Sequence, residues 1–353
     1  MRSGSSWPTE RPSRFAPRRL AEVLGSTGLQ CARPVRLGTL ALLVVALAGM
    51  LVGSSGCAKP PQQPEGPRRY LLENPPPSPD LVGRLSFKTA VAEDTFVDLA
   101  PEYEVGYVEL LAANQHIDPW VPKAGERIAI PGVHLLPAGP REGIVVNTGD
   151  MRLYHFLPDE LPRSYPIGIA KEGYATPQGD TKVVRKKANP TWYPTASALK
   201  DDPDLPRAVP PGPDNRLGAF ALYLGWPSYL IHGTNDPRGV GRHSSRGCIR
   251  LYPEHIEELF ARVPVGTKVR VVHEPVKTGW VAGELYLEVH PEKDRALALD
   301  ETGKLEREPA RDLRDIVTKA AGKDVTRVDL TRVERVSLIS AGVPVRVTGP
   351  AEP

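Results

Sequence analysis

Cysteine is scarce in this sequence. Three stand among 353 residues, Cys31, Cys57 and Cys248, too few and too scattered to staple a small domain with disulfides. Cys248 is therefore expected to have no intramolecular partner. An excess of charge is also missing: the formal net charge is +3, and no run of Lys and Arg in the folded part has the density of a nucleic-acid-binding face, so no polyanionic partner is demanded. No internal repeat survives comparison of segments. Paired metal ligands are lacking as well. His232, His243 and Cys248 offer atoms that suit zinc, but their spacing fits neither a closed nor a catalytic zinc pattern, and neither a metal nor a cofactor is expected. What is abundant is proline and glycine, 39 and 32 residues, which favours turns, strands and linkers over a helical bundle.

The single conspicuous apolar run, Leu37 to Val52, follows a stretch containing Arg18, Arg19, Arg33 and Arg36 and meets Gly53-Ser54-Ser55-Gly56-Cys57. A basic region, a short apolar region and small residues before a cysteine make an export signal. The cysteine at the cleavage point resembles a bacterial lipobox, with Ser54 where that family prefers Leu. Residues 1–57 are thus expected to direct export, with Cys57 lipidated and the chain anchored in the periplasm, on the outer membrane. A single membrane anchor is the competing reading, for which the run is short against the ~20 residues of a span. Residues 58–80 include Pro75-Pro76-Pro77 and read as a stiff tether without fold.

Residues 81–137 change character. Phe96, Leu99, Ala100 and Tyr103 have the spacing of one helical face, with Asp94 or Thr95 placed to cap it. A second short helix through Val108, Leu110, Leu111 and Ala112 leads to a strand ending at Pro131. The landmarks Asp94-Thr95, Leu99-Ala100, Tyr103, Asn114 and Ile128 to Pro131 resemble a LysM module, which implies binding to glycan strands. Any small helical hairpin on a strand shares this pattern.

Residues 142–273 read as short strands: 144–147 and 151–156 around a Thr148-Gly149-Asp150 turn, then 164–169, 181–186, 220–223, 229–232 and 268–272. This spacing indicates a mostly β domain rather than alternating βαβ units. Pro253 to Arg262 is its one clear helix, with proline in the first turn and Ile256, Leu259 and Phe260 on one face. Residues 274–353 read as a small α/β tail: a strand at 285–290, a helix at 309–321, and strands at 333–338 and 343–347.

Chemistry concentrates in Ile231-His232-Gly233-Thr234-Asn235 and Ser244-Ser245-Arg246-Gly247-Cys248-Ile249-Arg250. A free thiol with a pKa of about 8.5 is mostly protonated at neutral pH and needs an imidazole or oriented dipoles to act as a nucleophile. His232, at the end of an apolar strand, is placed to supply that help. Cys248 alone reads more readily as a buried structural thiol. The two motifs together resemble the active-site signature of the L,D-transpeptidase (YkuD-domain) family, its ErfK-like branch in particular, over roughly Gly143 to His273.

The resemblance implies a mainly β fold built on a YkuD-type β-sandwich, with no cofactor. It implies Cys248 as nucleophile, His232 as base, and the Gly233 carbonyl orienting the imidazole. Gly247 admits the substrate close to the backbone, the Gly247 and Cys248 amides are oxyanion-hole candidates, and Ser245 fixes the loop. Thr234, Asn235 and Arg250 are placed at the substrate. Arg246 stands where many members have a second histidine; His243 is the remaining rival base. The implied reaction is acyl transfer on peptidoglycan stem peptides, with D-alanine released and an amine as acceptor. The same site with water would be an L,D-carboxypeptidase or endopeptidase, and a glycan-binding lipoprotein without activity is the alternative from another class. For Arg250 a second reading stays open, an internal ion pair with Glu254 or Glu257.

Overall fold

The computed structural model describes residues 73–349, which all belong to one compact unit. The expected export signal, Cys57 and most of the tether lie outside the described residues. The end of the tether is docked rather than free: the Asn74 side chain exchanges two hydrogen bonds of 2.8 Å with the backbone of Leu85.

The first module runs β1 (Leu81–Val82), β2 (Leu85–Thr89), α1 (Phe96–Glu102), α2 (Tyr107–Ala113), β3 (Arg127–Pro131) and β4 (His134–Leu135). Thr95 caps α1 by accepting the Asp98 N–H, and Phe96, Leu99 and Ala100 are buried as their spacing requires. Strand β2, antiparallel to β3, is an addition to the expected helix, helix and strand. Only Leu85 of its five residues is fully buried, so its alternation leaves little mark in the sequence.

The central region is strand-rich. It comprises β5 (Gly143–Asn147), β6 (Arg152–Phe156), β7 (Arg163–Pro166), β8 (Ile169–Ala170), β9 (Gly179–Ala188), α3 (Ala196–Asp201), β10 (Phe220–Leu224), β11 (Leu230–His232), β12 (His243–Ser245), β13 (Ile249–Arg250), α4 (Pro253–Arg262) and β14 (Lys268–Val272). Eight strands form one sheet in the order β13-β11-β10-β9-β14-β5-β6-β7, while β12 pairs with β8 apart from it. The β5–β6 hairpin turns where expected, with Met151 at φ +53°. Helix α4 has the predicted bounds and seats Ile256 and Leu259 in the core.

The tail holds β15 (Val276–Val281), β16 (Glu284–Val289), α5 (Lys293–Thr302), α6 (Leu313–Ala321), α7 (Leu330–Ile339) and β17 (Val345–Arg346). Its three strands form a sheet β15-β16-β17, and the β15–β16 hairpin closes on Ala282 and Gly283, both at positive φ, the two-residue turn that suits the strand twist. Two expectations need correction. Residues 333–338 are helical, inside α7, because Asp329 caps that helix through the Arg332 N–H and Val333, Val336 and Ser337 bury one face at spacings of three and four. Helix α6 begins at Leu313 rather than Pro309, since Asp312 takes a left-handed conformation at φ +52°.

The cores ignore the boundaries read from the sequence. One cluster joins Phe96, Leu110 and Ile128 of the first module to Ile231, Ile249 and Leu259 of the central sheet and to Leu299 of the tail. A second joins Leu85 and Val133 to the tail's Leu287, Val317 and Val336. The first module is thereby packed against both other regions.

Candidate active site

Strands β11 and β13 run parallel, with Ile231 opposite Ile249 and His232 opposite Arg250. Because side chains alternate along a strand, the two isoleucines enter the core together, each at most 1% exposed. Their neighbours turn the other way: His232, Cys248 and Arg250 all line one cavity of about 1010 Å³.

His232 is 4% exposed. Its Nδ1 lies 2.6 Å from the Gly233 carbonyl oxygen. A carbonyl only accepts, so Nδ1 carries the proton and Nε2 keeps its lone pair. Burial, and secondarily the charge of Arg250, bring the imidazole down to about 3 against the opposing effect of the Gly233 bond. The ring is neutral at physiological pH. Burial also pushes the Cys248 thiol up, although the Leu230 backbone and Arg250 pull the other way. The thiol donates to the Ser228 carbonyl at 3.4 Å. Ser228 holds that carbonyl in place from a left-handed backbone at φ +69° in the β10–β11 turn. The resting pair is a thiol and a neutral base.

The loop before the cysteine is tied down by Ser245. Its hydroxyl donates to the Cys248 carbonyl at 2.6 Å and accepts the Gly247 N–H at 3.1 Å. Gly247 sits at φ +116°, and a Cβ there would stand 2.8 Å from both the Ala175 carbonyl oxygen and Tyr229 Cε1. Only glycine fits. With the Gly247 N–H given to Ser245, one of the two expected oxyanion donors is already engaged.

Two expected substrate contacts are placed elsewhere. Thr234 is 5% exposed and spends its hydroxyl on the backbone of Asp236, as donor at 3.1 Å and acceptor at 3.0 Å; Asn235 is exposed. Neither lines the cavity. His243, the rival base, directs Nδ1 at the Ala170 carbonyl, 2.9 Å away, and is not part of the cavity wall either. Arg246 lines the groove and pairs with Asp201: its NH2 lies 2.9 Å from Asp201 Oδ2, which also accepts from Tyr174 at 2.8 Å.

Sequence reasoning missed the sign of the groove. Lys171, Arg185, Lys187, Arg216, Arg246 and Arg250 line it, and among the described residues no carboxylate does. Arg185 and Arg216 stack over Tyr223 and Trp192. The two-residue spacing of Arg185 and Lys187 on a strand was the available signal. The ion pair considered for Arg250 is absent among the described residues: Glu254 and Glu257 are exposed, Arg250 Nε is buried without a partner, and NH1 has only Ser244 Oγ at 3.5 Å.

Residues 141–271 match the model of the L,D-transpeptidase catalytic domain (YkuD). The chain is similar to the probable L,D-transpeptidase ErfK/SrfK of Escherichia coli, 42% identical over 226 residues, which cover 61% of this chain and 72% of that protein. The Salmonella typhimurium protein of that name is 38% identical over 284 residues, covering 78% of this chain and 90% of the relative. The probable L,D-transpeptidase YbiS of Escherichia coli is 44% identical over 203 residues, covering 54% and 64%.

Proposed function

This chain belongs to the L,D-transpeptidase family, and on that premise we propose that it cross-links peptidoglycan stem peptides through a thioester on Cys248. The observation that carries the reading is the convergence of His232 and Cys248 on one groove, with His232 Nδ1 committed to Gly233. That hydrogen bond leaves Nε2 as a base of fixed orientation.

In the first half-reaction His232 Nε2 takes the thiol proton as sulfur bonds to the carbonyl carbon of the third stem residue. The Cys248 N–H is the candidate donor to the oxyanion. Collapse breaks the C–N bond to the terminal D-alanine, whose amine leaves with the proton from His232. In the second half an acceptor amine attacks the thioester, His232 takes its proton, and sulfur departs and is reprotonated. Acceptors fitting this chemistry are an amine on a neighbouring stem or on a wall-attached protein. The carboxylates of a stem peptide suit a groove lined by Lys171, Arg185, Lys187, Arg216 and Arg250, with Arg246 already paired to Asp201. No step needs a metal or cofactor.

The first module, with its β2-α1-α2-β3 order, is read as LysM-like and glycan-binding. Export and lipidation at Cys57 complete the proposal and rest on the sequence of residues 37–57. An intact mass of the mature protein beginning upstream of Cys57 would refute lipidation.

The test is incubation with purified disaccharide tetrapeptide, followed by mass spectrometry for an acyl adduct on Cys248 and for dimers. Cys248→Ala removes the adduct, and His232→Ala slows its formation by about 10² to 10⁴. Adduct formation by a folded Cys248→Ala protein overturns the nucleophile. Tripeptide without dimer gives the hydrolytic reaction instead.

A further inference from the structure

Between the three regions lies a cluster of ionisable groups that the reaction above does not use. Glu109 of α2, His134 of β4, Asp150 just before β6, Arg152 at its start, and Lys277 and Glu288 of the tail sheet are each at most 5% exposed. Glu109 meets Arg152 NH1 at 2.9 Å and His134 Nε2 at 2.8 Å. His134 Nδ1 reaches Glu288 Oε1 at 3.1 Å, and Lys277 bridges Glu288 Oε1 and Asp150 Oδ2 at 2.9 and 2.7 Å. His134, Glu288 and His290 are metal-ligand types within reach of one another. The ammonium of Lys277, however, already sits on the carboxylate oxygen that both imidazoles contact, so the cation of this site is supplied by the chain.

One member of the cluster leads toward the nucleophile. Besides its ionic partners, Glu109 accepts the Gly106 N–H at 2.9 Å, fixing the entry to α2. The next free amide of that helix, Val108 N–H, donates to the Gly241 carbonyl at 3.1 Å. The contact is backbone on backbone: a Cβ on Gly241 would stand 2.2 Å from Gly106 Cα. Gly241 N–H in turn donates to Ile167 and Ile169 N–H to Arg242, and His243 and Ser245 then pair with Ile169 and Ala170. Ser245 is the residue that holds Gly247 and Cys248. Arg242 adds a clamp from the side, lying 3.6 Å from the Tyr107 ring centroid and pairing with Asp300 of α5 at 2.7 Å.

We propose that Glu109, held by this buried charge cluster, is a positioning residue for Cys248: it fixes the first turn of α2 against Gly241 and thereby sets the strand that delivers the nucleophile. The first module is then a part of the catalytic unit, whatever else it binds. The inference rests on Cys248 being the nucleophile and on nothing about the acceptor.

Two readouts on the full chain test it: steady-state turnover of tetrapeptide, and the rate at which iodoacetamide alkylates Cys248 in the absence of substrate. In Glu109→Gln, at a temperature where circular dichroism shows the protein folded, kcat falls about 10- to 100-fold, the scale of a small misplacement of reacting atoms. KM stays within about twofold, and alkylation becomes faster as the loosened loop opens the half-buried thiol. Phe96→Leu, in the same apolar core but outside the hydrogen-bonded path, lowers the melting temperature but keeps kcat and the alkylation rate. Should Glu109→Gln not fold, Val108→Pro, at the second position of α2 where the N–H makes no intrahelical bond, deletes the N–H given to Gly241 with the charge cluster intact, and reproduces both changes. Wild-type kcat and alkylation in a folded Glu109→Gln or Val108→Pro overturns the proposal, as does an equal loss of kcat in Phe96→Leu. If the wild type fails to turn over tetrapeptide, the proposed function falls, while the alkylation arm still decides this one.

Discussion

Arg250→Lys isolates the most exposed consequence of the groove's charge. Arg250 is a half-buried cation whose surroundings do not neutralise it: burial first, and then the nearby Arg216, press its pKa down, and Cys248 and Asp236 oppose them only in part. Its Nε is buried without a partner, and the 3.5 Å approach of NH1 to Ser244 is long for a hydrogen bond. A buried charge lacking a partner is costly, so the missing carboxylate is expected to arrive with the substrate. A guanidinium grips a carboxylate through two parallel hydrogen bonds, whereas an ammonium offers a point charge. Losing one hydrogen bond to a charged group is worth about 1.5–3 kcal/mol, or roughly 10- to 150-fold in kcat/KM. The assay compares wild type and Arg250→Lys on tetrapeptides with free and with amidated carboxylates. The deficit should appear on the free acid and largely vanish when the gripped carboxylate is amidated. An equal deficit on every substrate refutes the reasoning and makes Arg250 structural.

The resting protonation state predicts the pH profile. With His232 down to about 3, the neutral base persists as pH falls below the usual histidine range, so acylation between pH 5 and pH 8 should be flat, without a step near ~6.5. With the Cys248 thiol pushed up, iodoacetamide alkylation should keep rising through the ordinary thiol range of ~8.5 and beyond; an alkylation plateau already reached below pH 6 would mean a preformed thiolate–imidazolium pair. Gly247→Ala should abolish acylation while leaving most of the fold, because its Cβ meets the Ala175 carbonyl and Tyr229; retained kcat speaks against the tight loop. Ser245→Ala frees the Gly247 N–H and the Cys248 carbonyl and should lower stability by about 1–3 kcal/mol together with kcat; an unchanged melting temperature in denaturant or heat contradicts this.

The site was legible where its geometry is local. His232 at the end of an apolar strand was read from the residues themselves, while the Gly233 carbonyl came only with the family resemblance; both are relations between adjacent residues, and the positive φ of Gly247 was seen only in the structure. Helix α4 was equally plain, since its proline, first-turn acid and apolar face all agree. Thr234 and Asn235 show the limit of a motif, which names residues without saying which atom faces the substrate; Thr234 uses its hydroxyl to close its own turn. Residues 333–338 failed for a different reason: Val-Glu-Arg-Val-Ser-Leu is compatible with either period, and the deciding cap at Asp329 lies upstream of the run.

What remained hidden is what depends on partners far apart in the chain. Nothing local in the sequence marks Glu109, Asp150 or Lys277, yet Lys277 meets Asp150 across more than a hundred residues of sequence, and Glu109 meets Arg152 of the central region as well as His134 of its own module. Burying one of these groups alone would be strongly unfavourable. In Glu109 burial by itself would raise the carboxyl, but Arg152, His134 and the Gly106 N–H bring it down to about 2. Such a group contributes stability that is fully present above the ordinary carboxylate range and is lost progressively as pH falls from there through about 2. Glu109 itself therefore stays ionised at neutral pH, and its ion pairs join the first module to the central region. A joint of this kind tolerates no member in isolation. Among the described residues, the boundaries drawn at composition changes are crossed both by the shared apolar cores and by these ion pairs, and neither kind of contact has a signature within one segment of the sequence.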